Sequence, residues 1–446
     1  MGLIDRLRSS DGPRVAFFGI DGVPYSLIED NPDVFENLTA IAEEGSGGAI
    51  DSIVPPESSA CWPALTTGLN PGETGVYGFQ DREVDSYDTY VPMGRDVQAT
   101  RLWDRVEDAD RSATVMNVPV TFPPQRDVQR MVSGFLSPGI EEAAYPDELR
   151  DTLLGMDYEI DVNAKLGHQA DKTEFIKDAH ATLDGRYEAF EHYIEADDWD
   201  LFFGVFMTTD RVNHFLFEDY EHDGEYREEF LDFYRQVDEY IGSLVDLLPD
   251  DVTTVVASDH GFTTLHHEVH LNEWLRREGW LSYQDDHEAL TDIADDTTAY
   301  SLIPGRFYLN LDGREPRGSV PDEEYDDVRD DLKDALADLE GPDGTPVADE
   351  IYTKEEVYRG DHSDIAPDLV VVPNHGFDLK AGFKGADQVF DTGPRNGMHS
   401  FDNATLVTDD PDARIAETDL YDIAPTLLSM MDIEYERASM DGSSLV

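Results

Sequence analysis

Five short apolar runs, each closed by a polar or turn-forming residue, punctuate the chain: RVAFFGID (14–21), SATVMNV (112–118), DLFFGVFM (200–207), TTVVASD (253–259) and PDLVVVP (367–373). Between them lie stretches with helical spacing of apolar positions, such as NPDVFENLTAIAEEG, KTEFIKDAHATLDGRYEAFEHYIEA and EYREEFLDFYRQVDEYIGSLVDLL. Strand-length runs alternating with helices predict an α/β fold with a mainly parallel sheet covered on both faces. Such sheets bind ligands at the carboxyl ends of their strands. The residues just after the apolar runs are therefore the first place to look for chemistry. Between Ser282 and Ala366 the pattern loosens into acidic loops, a strand pair around GRFYLNLDGREPRG and a helix DEEYDDVRDDLKDALADL. This predicts a core formed by 1–281 and 367–446, with 282–366 inserted as a cap.

Charge changes the picture of the surroundings. The chain carries 98 Asp and Glu against 32 Lys and Arg, a formal net charge of −66 spread along its 446 residues. So acidic a surface argues against nucleic-acid polymers and anionic membranes as partners. Disorder is the usual correlate of high charge and few aromatics, but 40% hydrophobic and 10% aromatic residues point to a folded protein. Molar salt shortens the Debye length to about 3 Å and screens surface repulsion, so a haloarchaeal source is expected. A single cysteine rules out an intrachain disulfide framework. The N-terminus runs from a short amphipathic lead into a strand without a signal-peptide pattern, and no apolar run approaches the roughly 18 residues of a membrane span. A cytoplasmic protein is expected.

The strand ends carry the chemistry. Asp21 closes the first run, Asp210 and His214 follow the third at i, i+4, Asp259 and His260 follow the fourth, and His399 lies in the Gly-containing loop RNGMHSFD. A lone Asp at a strand end is most simply a helix cap. Three Asp and three His gathered on one predicted edge instead suit two divalent cations, zinc or manganese. Two such ions clamp the attacking and leaving oxygens of a displacement at phosphorus. The loop VPPESSACWPALTTG offers serines that such a site could activate.

With these motifs and GIDG, TTGLNPGETGVYGF, NVPVTFPP, DRVNH, SDHGF, HLNEWL, GREPRG, DIAPTLLSMMDI and MDGSSL, the chain resembles the alkaline phosphatase superfamily over nearly its whole length. Within it the resemblance is to the type I phosphodiesterase/nucleotide pyrophosphatase family. It implies an alkaline-phosphatase-like three-layer α/β/α core and a two-metal phosphoryl-ester hydrolase acting on a small anionic phosphate ester through a phospho-enzyme. One metal falls to Asp210, His214 and His399, the other to Asp21, Asp259, His260 and the nucleophile. Counting ten residues back from Gly68 places that nucleophile at Ser58, with Ser59 as the alternative one residue on. CWPAL is superficially similar to the sulfatase C/S-x-P-x-R signature, but Leu65 stands where its Arg belongs.

Four further residues are weaker candidates for substrate contact. Cys61, three residues after Ser58, stands where the resemblance implies an Asn donor, and a thiol donates weakly. Asn117 follows a strand, and a turn-forming role is its alternative. Arg314 and Arg317 could grip a phosphate from the cap, and loop salt bridges are theirs. Trp62 reads as an anchor for the nucleophile loop. Phosphodiesters or phosphoanhydrides are the first expectation for substrate. A phosphomonoesterase, phosphonate hydrolase or phosphomutase on the same fold is the alternative, and a non-enzymatic metal-binding protein is the competing class.

Overall fold

The computed structural model describes residues 12–284, 289–383 and 387–446. The amphipathic lead read at the N-terminus lies outside them. Eight strands form the central sheet: β1 (Arg14–Ile20), β2 (Ser46–Ile50), β3 (Ala113–Val118), β4 (Arg130–Ser133), β5 (Ala144–Tyr145), β6 (Leu201–Phe206), β7 (Val252–Ala257) and β8 (Ala404–Thr408). Their spatial order is β2-β8-β7-β1-β6-β3-β4-β5. The inner strands β7, β1, β6, β3 and β4 run parallel, while β2, β8 and β5 at the flanks pair antiparallel.

The alternation of side chains along β1 explains the layers. Ala16, Phe18 and Ile20 pack on one face against the helices α2 (Thr173–Glu195), α3 (Thr208–Glu221) and α4 (Arg227–Asp246). Val15 and Phe17 point to the other face, where α1 (Ser58–Thr67) and the helix Ile423–Met430 lie. Successive strand residues alternate faces, so a run without a polar side chain from Val15 to Ile20 must be covered on both. The sheet has helices on either side, as expected of an alkaline-phosphatase-like core.

One strand departs from the sequence reading. Leu369–Pro373 does not join the central sheet; it pairs antiparallel with Arg306–Leu309 and with Ala348–Thr353 in a separate four-stranded sheet. That sheet and the helix Tyr325–Ala337 share an apolar cluster drawn from Val269 to Phe390, with Tyr87 added from afar. The accessory layer therefore runs past residue 366. An apolar run of five residues states that a strand is buried, not which sheet buries it. Among the described residues, no helix is long and apolar enough to cross a membrane.

Candidate active site

The neighbouring parallel strands β6, β1 and β7 release their chains at the same edge. Asp21 follows Ile20 of β1, the first turns of α3 after β6 carry Asp210 and His214, and Asp259 with His260 follows β7. Gly22 turns the chain there with φ +67°, a conformation that a side chain disfavours. The sixth residue arrives differently: Gly261–Thr264 pairs antiparallel with Gly397–Ser400, and the register sets Phe262 opposite His399. That ladder brings the distant C-terminal His back to the edge.

The ligand atoms of Asp21, Asp259 and His260 lie within 4.8 Å of one another, and so do those of Asp210, His260 and His399. His214 joins the second group, its Nε2 lying 3.4 Å from Asp210 Oδ1 and 3.2 Å from His399 Nε2. His260 thus borders both groups. All three imidazoles are oriented alike. His214 Nδ1 meets Gly397 O at 3.1 Å, His260 Nδ1 meets Gly261 O at 3.0 Å, and His399 Nδ1 meets Pro56 O at 2.9 Å. A carbonyl only accepts, so each Nδ1 carries the proton and each Nε2 turns a lone pair inward. Such backbone partners on the outer nitrogen accompany metal-binding histidines.

The carboxylates are equally constrained. Asp210 Oδ1 and Asp259 Oδ2 are buried and have no hydrogen-bond partner among the described residues. Burial, followed by the charges of Asp259 and Asp210, pushes Asp21 well above the usual carboxylate range. Burial likewise pushes Asp259 up to about 7. It presses His260 down to about 3 and His214 well down. Burial would also raise Asp210, but His214, His399 and Arg211 outweigh it and hold that group well below its ordinary value. Buried polar groups without partners are costly. Inward lone pairs and orphaned carboxylate oxygens are the donor set that two divalent cations would satisfy, so these residues fit the two metals that the sequence implies.

Ser58, and not Ser59, meets this cluster. Its Oγ lies 3.1 Å from His260 Nε2 and 3.4 Å from Asp21 Oδ1. Ser58 opens α1 at the sheet edge, after Glu57. One turn on, Trp62 donates its indole N–H to Asp21 Oδ2 at 2.7 Å, so the anchor expected for the loop also holds a ligand. A Cβ on Gly19 would lie 2.5 Å from the Trp62 ring, and only glycine admits that approach.

The weaker candidates are placed elsewhere. Cys61 is fully buried beneath the site, 3.3 Å from Ser52 Oγ, and burial pushes its thiol well up. Ser52 in turn donates to Asp259 O at 2.6 Å. Cys61 therefore packs behind a ligand rather than facing substrate. Asn117 is buried within β3, at φ +65°, and reaches only Val205 O. Arg314 makes two bonds to Asp368 and one to Leu309 O; Arg317 stacks on Tyr87 and bonds to Thr291 O and Ile293 O. Both hold the accessory layer together, which is the salt-bridge alternative that an acidic chain makes available.

Several contributors were not singled out in the sequence. Arg211 contacts Asp210 at 3.4 Å and Asp161 at 2.8 Å; its position beside Asp210 in TTDRVNH was the available signal. Ser52 gave none. Beside His214 and His399 opens a pocket bordered by Glu57, Phe377, Asp378, Lys380 and Arg395. Of its charged residues, Glu57 lies in VPPESSACWPALTTG and Arg395 opens RNGMHSFD, while Asp378 and Lys380 come from a segment that no motif marked.

The model of one family, type I phosphodiesterase/nucleotide pyrophosphatase, matches residues 15–402. The chain belongs to this family. Comparison with curated proteins finds no match. Among solved structures, murine ectonucleotide pyrophosphatase/phosphodiesterase 5, an inactive variant in complex with AMP, is similar at a TM-score of 0.57 and 14% identity, over 97% of each chain. Phosphonoacetate hydrolase from Sinorhizobium meliloti, in complex with phosphonoformate, is similar at a TM-score of 0.60 and 14% identity, over 94% of this chain and 96% of that one. At such identities these likenesses speak for the fold, which family membership joins to a metal-dependent hydrolase class.

Proposed function

We propose that the chain is a two-metal phosphoryl-ester hydrolase in which Ser58 attacks phosphorus. The observation that carries this reading is the gathering of three inward Nε2 atoms and three buried carboxylates into two adjoining groups, with Ser58 Oγ against His260 and Asp21. Asp21, Asp259, His260 and Ser58 would hold one divalent cation, and Asp210, His214 and His399 the other, with zinc first and manganese second for so mixed a donor set. When bound, the pair lowers the serine hydroxyl pKa and stabilises charge on the non-bridging and leaving oxygens.

The chain's own residues supply the rest. Trp62 and the Asp21 carboxylate fix the approach of Ser58 Oγ. The Oγ–P bond forms as the ester P–O bond breaks, the serine proton is released, and the leaving oxygen departs on the side of His214 and His399. Water then cleaves the phosphoserine, restoring the hydroxyl and releasing phosphate or a phosphate monoester. Arg211 holds Asp210 and adds positive charge beneath the site.

Phosphodiesters and phosphoanhydrides remain first among substrates, since relatives on this fold include a nucleotide pyrophosphatase bound to AMP. The phosphonate alternative has an observation of its own. The similar phosphonoacetate hydrolase is seen in complex with phosphonoformate. We place the enzyme in a high-salt cytoplasm, on the strength of its charge. A panel on metal-loaded protein, comparing bis-p-nitrophenyl phosphate, p-nitrophenyl phosphate, a dinucleotide diester and phosphonoacetate, tests the reading. Turnover of none of the four would remove it.

A further inference from the structure

Arg395 stands out among the cations by its place rather than by lacking a carboxylate: Arg101 and Arg186 also meet none at ion-pairing distance among the described residues, but both are buried on hydroxyl and carbonyl oxygens. Arg82, Arg130, Arg211, Arg306 and Arg314 each meet a carboxylate, as an excess of 98 acidic over 32 basic residues leads one to expect. Arg395 is half-buried on the wall of the pocket beside His214 and His399, and has no carboxylate at ion-pairing distance among the described residues. Its segment is held in place. The N–H of Asn396 donates to His214 O at 2.9 Å, and Asn396 O accepts from the Leu265 N–H at 2.9 Å. Arg395 is thus tied through one peptide to the helix that carries His214.

The other charges of the pocket are accounted for. Lys380 and Asp378 form an ion pair on the same wall, on the strand Phe377–Lys380. Glu57, next to Ser58 in the chain, also lines the pocket. Two cations against two carboxylates make a neutral pocket in a chain of net charge −66. The remaining wall is apolar, with Pro304, Val371 and Leu379 among its residues. A small apolar cleft with a few convergent polar groups is the usual form of a ligand site. Burial would raise Asp378, but Lys380, helped by the charge of Arg395, holds that carboxyl below its ordinary value. No ion pair among the described residues occupies the planar fork of Arg395, which suits carboxylate or phosphate.

The position of the pocket gives that fork a role. It is bordered by His214 and His399, and none of Asp21, Asp259 and His260 lines it. Ser58 touches the latter group. An in-line displacement at phosphorus expels the leaving oxygen on the side away from the nucleophile, so the rest of the leaving group enters this pocket. We propose that Arg395, with Lys380 beside it, binds a second anionic group carried by the leaving portion of the substrate. The substrate class is then a small phosphoryl ester or anhydride whose leaving group bears a carboxylate or another phosphoryl group. This rests on the hydrolase reading above and narrows it.

Binding without turnover tests the proposal. Metal-loaded Ser58→Ala protein is titrated calorimetrically, at one fixed salt concentration, with ethyl phosphate, phosphoglycolate and inorganic pyrophosphate. Their leaving groups are neutral, carboxylate-bearing and phosphoryl, respectively. At least one anionic ligand is expected to bind about tenfold or more tightly than ethyl phosphate, the scale of a charge-assisted bidentate contact. Which one does so separates a carboxylate from a phosphoryl partner. Adding Arg395→Gln should reduce that preference to within about threefold, Arg395→Lys should keep part of it, and Lys380→Gln should weaken it even where an Arg395 variant does not fold. Equal affinity for all three ligands, or a preference that survives both glutamine variants, overturns the proposal while leaving the hydrolase reading in place. Failure of the metal-loaded protein to bind any of the three removes both together.

Discussion

The Nε2 atoms of His214 and His399 face each other at 3.2 Å, while both rings donate their outer N–H to backbone carbonyls. Two lone pairs at that distance repel unless a proton or a cation lies near them. Asp210, whose Oδ1 is 3.4 Å from one and 3.3 Å from the other, supplies the negative charge that favours either. Burial lowers His399, but the adjoining Asp210 carboxylate outweighs it and leaves this imidazole above its ordinary value.

A divalent cation should therefore be structural as well as catalytic. Exhaustive chelation is expected to abolish turnover and lower Tm, and His399→Ala should reduce bound metal, measured by elemental analysis, from two ions towards one. Unchanged activity after complete removal of metal would sink the two-metal proposal.

The pH dependence of metal uptake follows from Asp259. In the metal-free fold its pKa is pushed up to about 7 by burial, against an ordinary value of 3.8. A carboxyl raised on folding binds its proton more tightly in the native state. Its contribution to metal-free stability is complete below 3.8 and is lost as pH rises through about 7. Metal must displace that proton below pH 7. Apparent metal affinity should thus climb as pH rises from 5 through 7, with proton release on binding at pH 6. The Tm gap between loaded and metal-free protein should widen over the same interval. An affinity flat from pH 5 to 8 would contradict the burial argument.

Ser58→Ala should remove nearly all turnover while leaving the fold and most metal binding. Ser59→Ala should cost less than about threefold, because no side-chain bond joins Ser59 to the cluster among the described residues. A reversed ranking would move the nucleophile by one residue.

Gly19→Ala examines the support beneath the site. The new Cβ would fall 2.5 Å from the Trp62 ring and 2.9 Å from Val205. Overpacking of this kind costs about 1–3 kcal/mol. Here it also pushes on the indole that holds Asp21, so kcat should fall more than Tm alone explains. A variant that is destabilised yet has normal kcat would show that Trp62 does not position Asp21.

Much of this site was legible because the rule for parallel sheets directs attention to strand ends, and Asp21, Asp210 and Asp259 stand there. His399 was legible only through family resemblance, since nothing local says that a loop ladder will return it. The weaker candidates lie apart from the cluster for reasons that the sequence hides. Every residue of α1 is buried, so its sequence lacks the polar face that would show that Cys61 turns towards Ser52. Arg314 and Arg317 were conspicuous as cations, but so many carboxylates leave few cations unclaimed. Arg395 was overlooked for the converse reason: that it has no carboxylate partner is a fact of three dimensions.

Salt is the condition that composition addresses most directly. With 98 acidic and 32 basic residues, repulsion among surface carboxylates opposes compaction wherever the Debye length exceeds their spacing. That length is about 10 Å in 0.1 M salt and about 3 Å at 1 M. The fold answers part of the repulsion with ion pairs such as Lys177 with Glu174 and Arg235 with Asp232, but exposed pairs contribute at most about 1 kcal/mol each. Screening must supply the rest. An anionic substrate also has to cross this negative surface before it meets Arg395 and the metals. Tm and kcat/KM should therefore both rise from dilute buffer towards molar KCl. Converting exposed carboxylates remote from the site, such as Glu141 and Glu142 on the helix Ile140–Ala143, to amides should flatten the Tm curve. A Tm indifferent to KCl across that range would show that this surface is not built for salt.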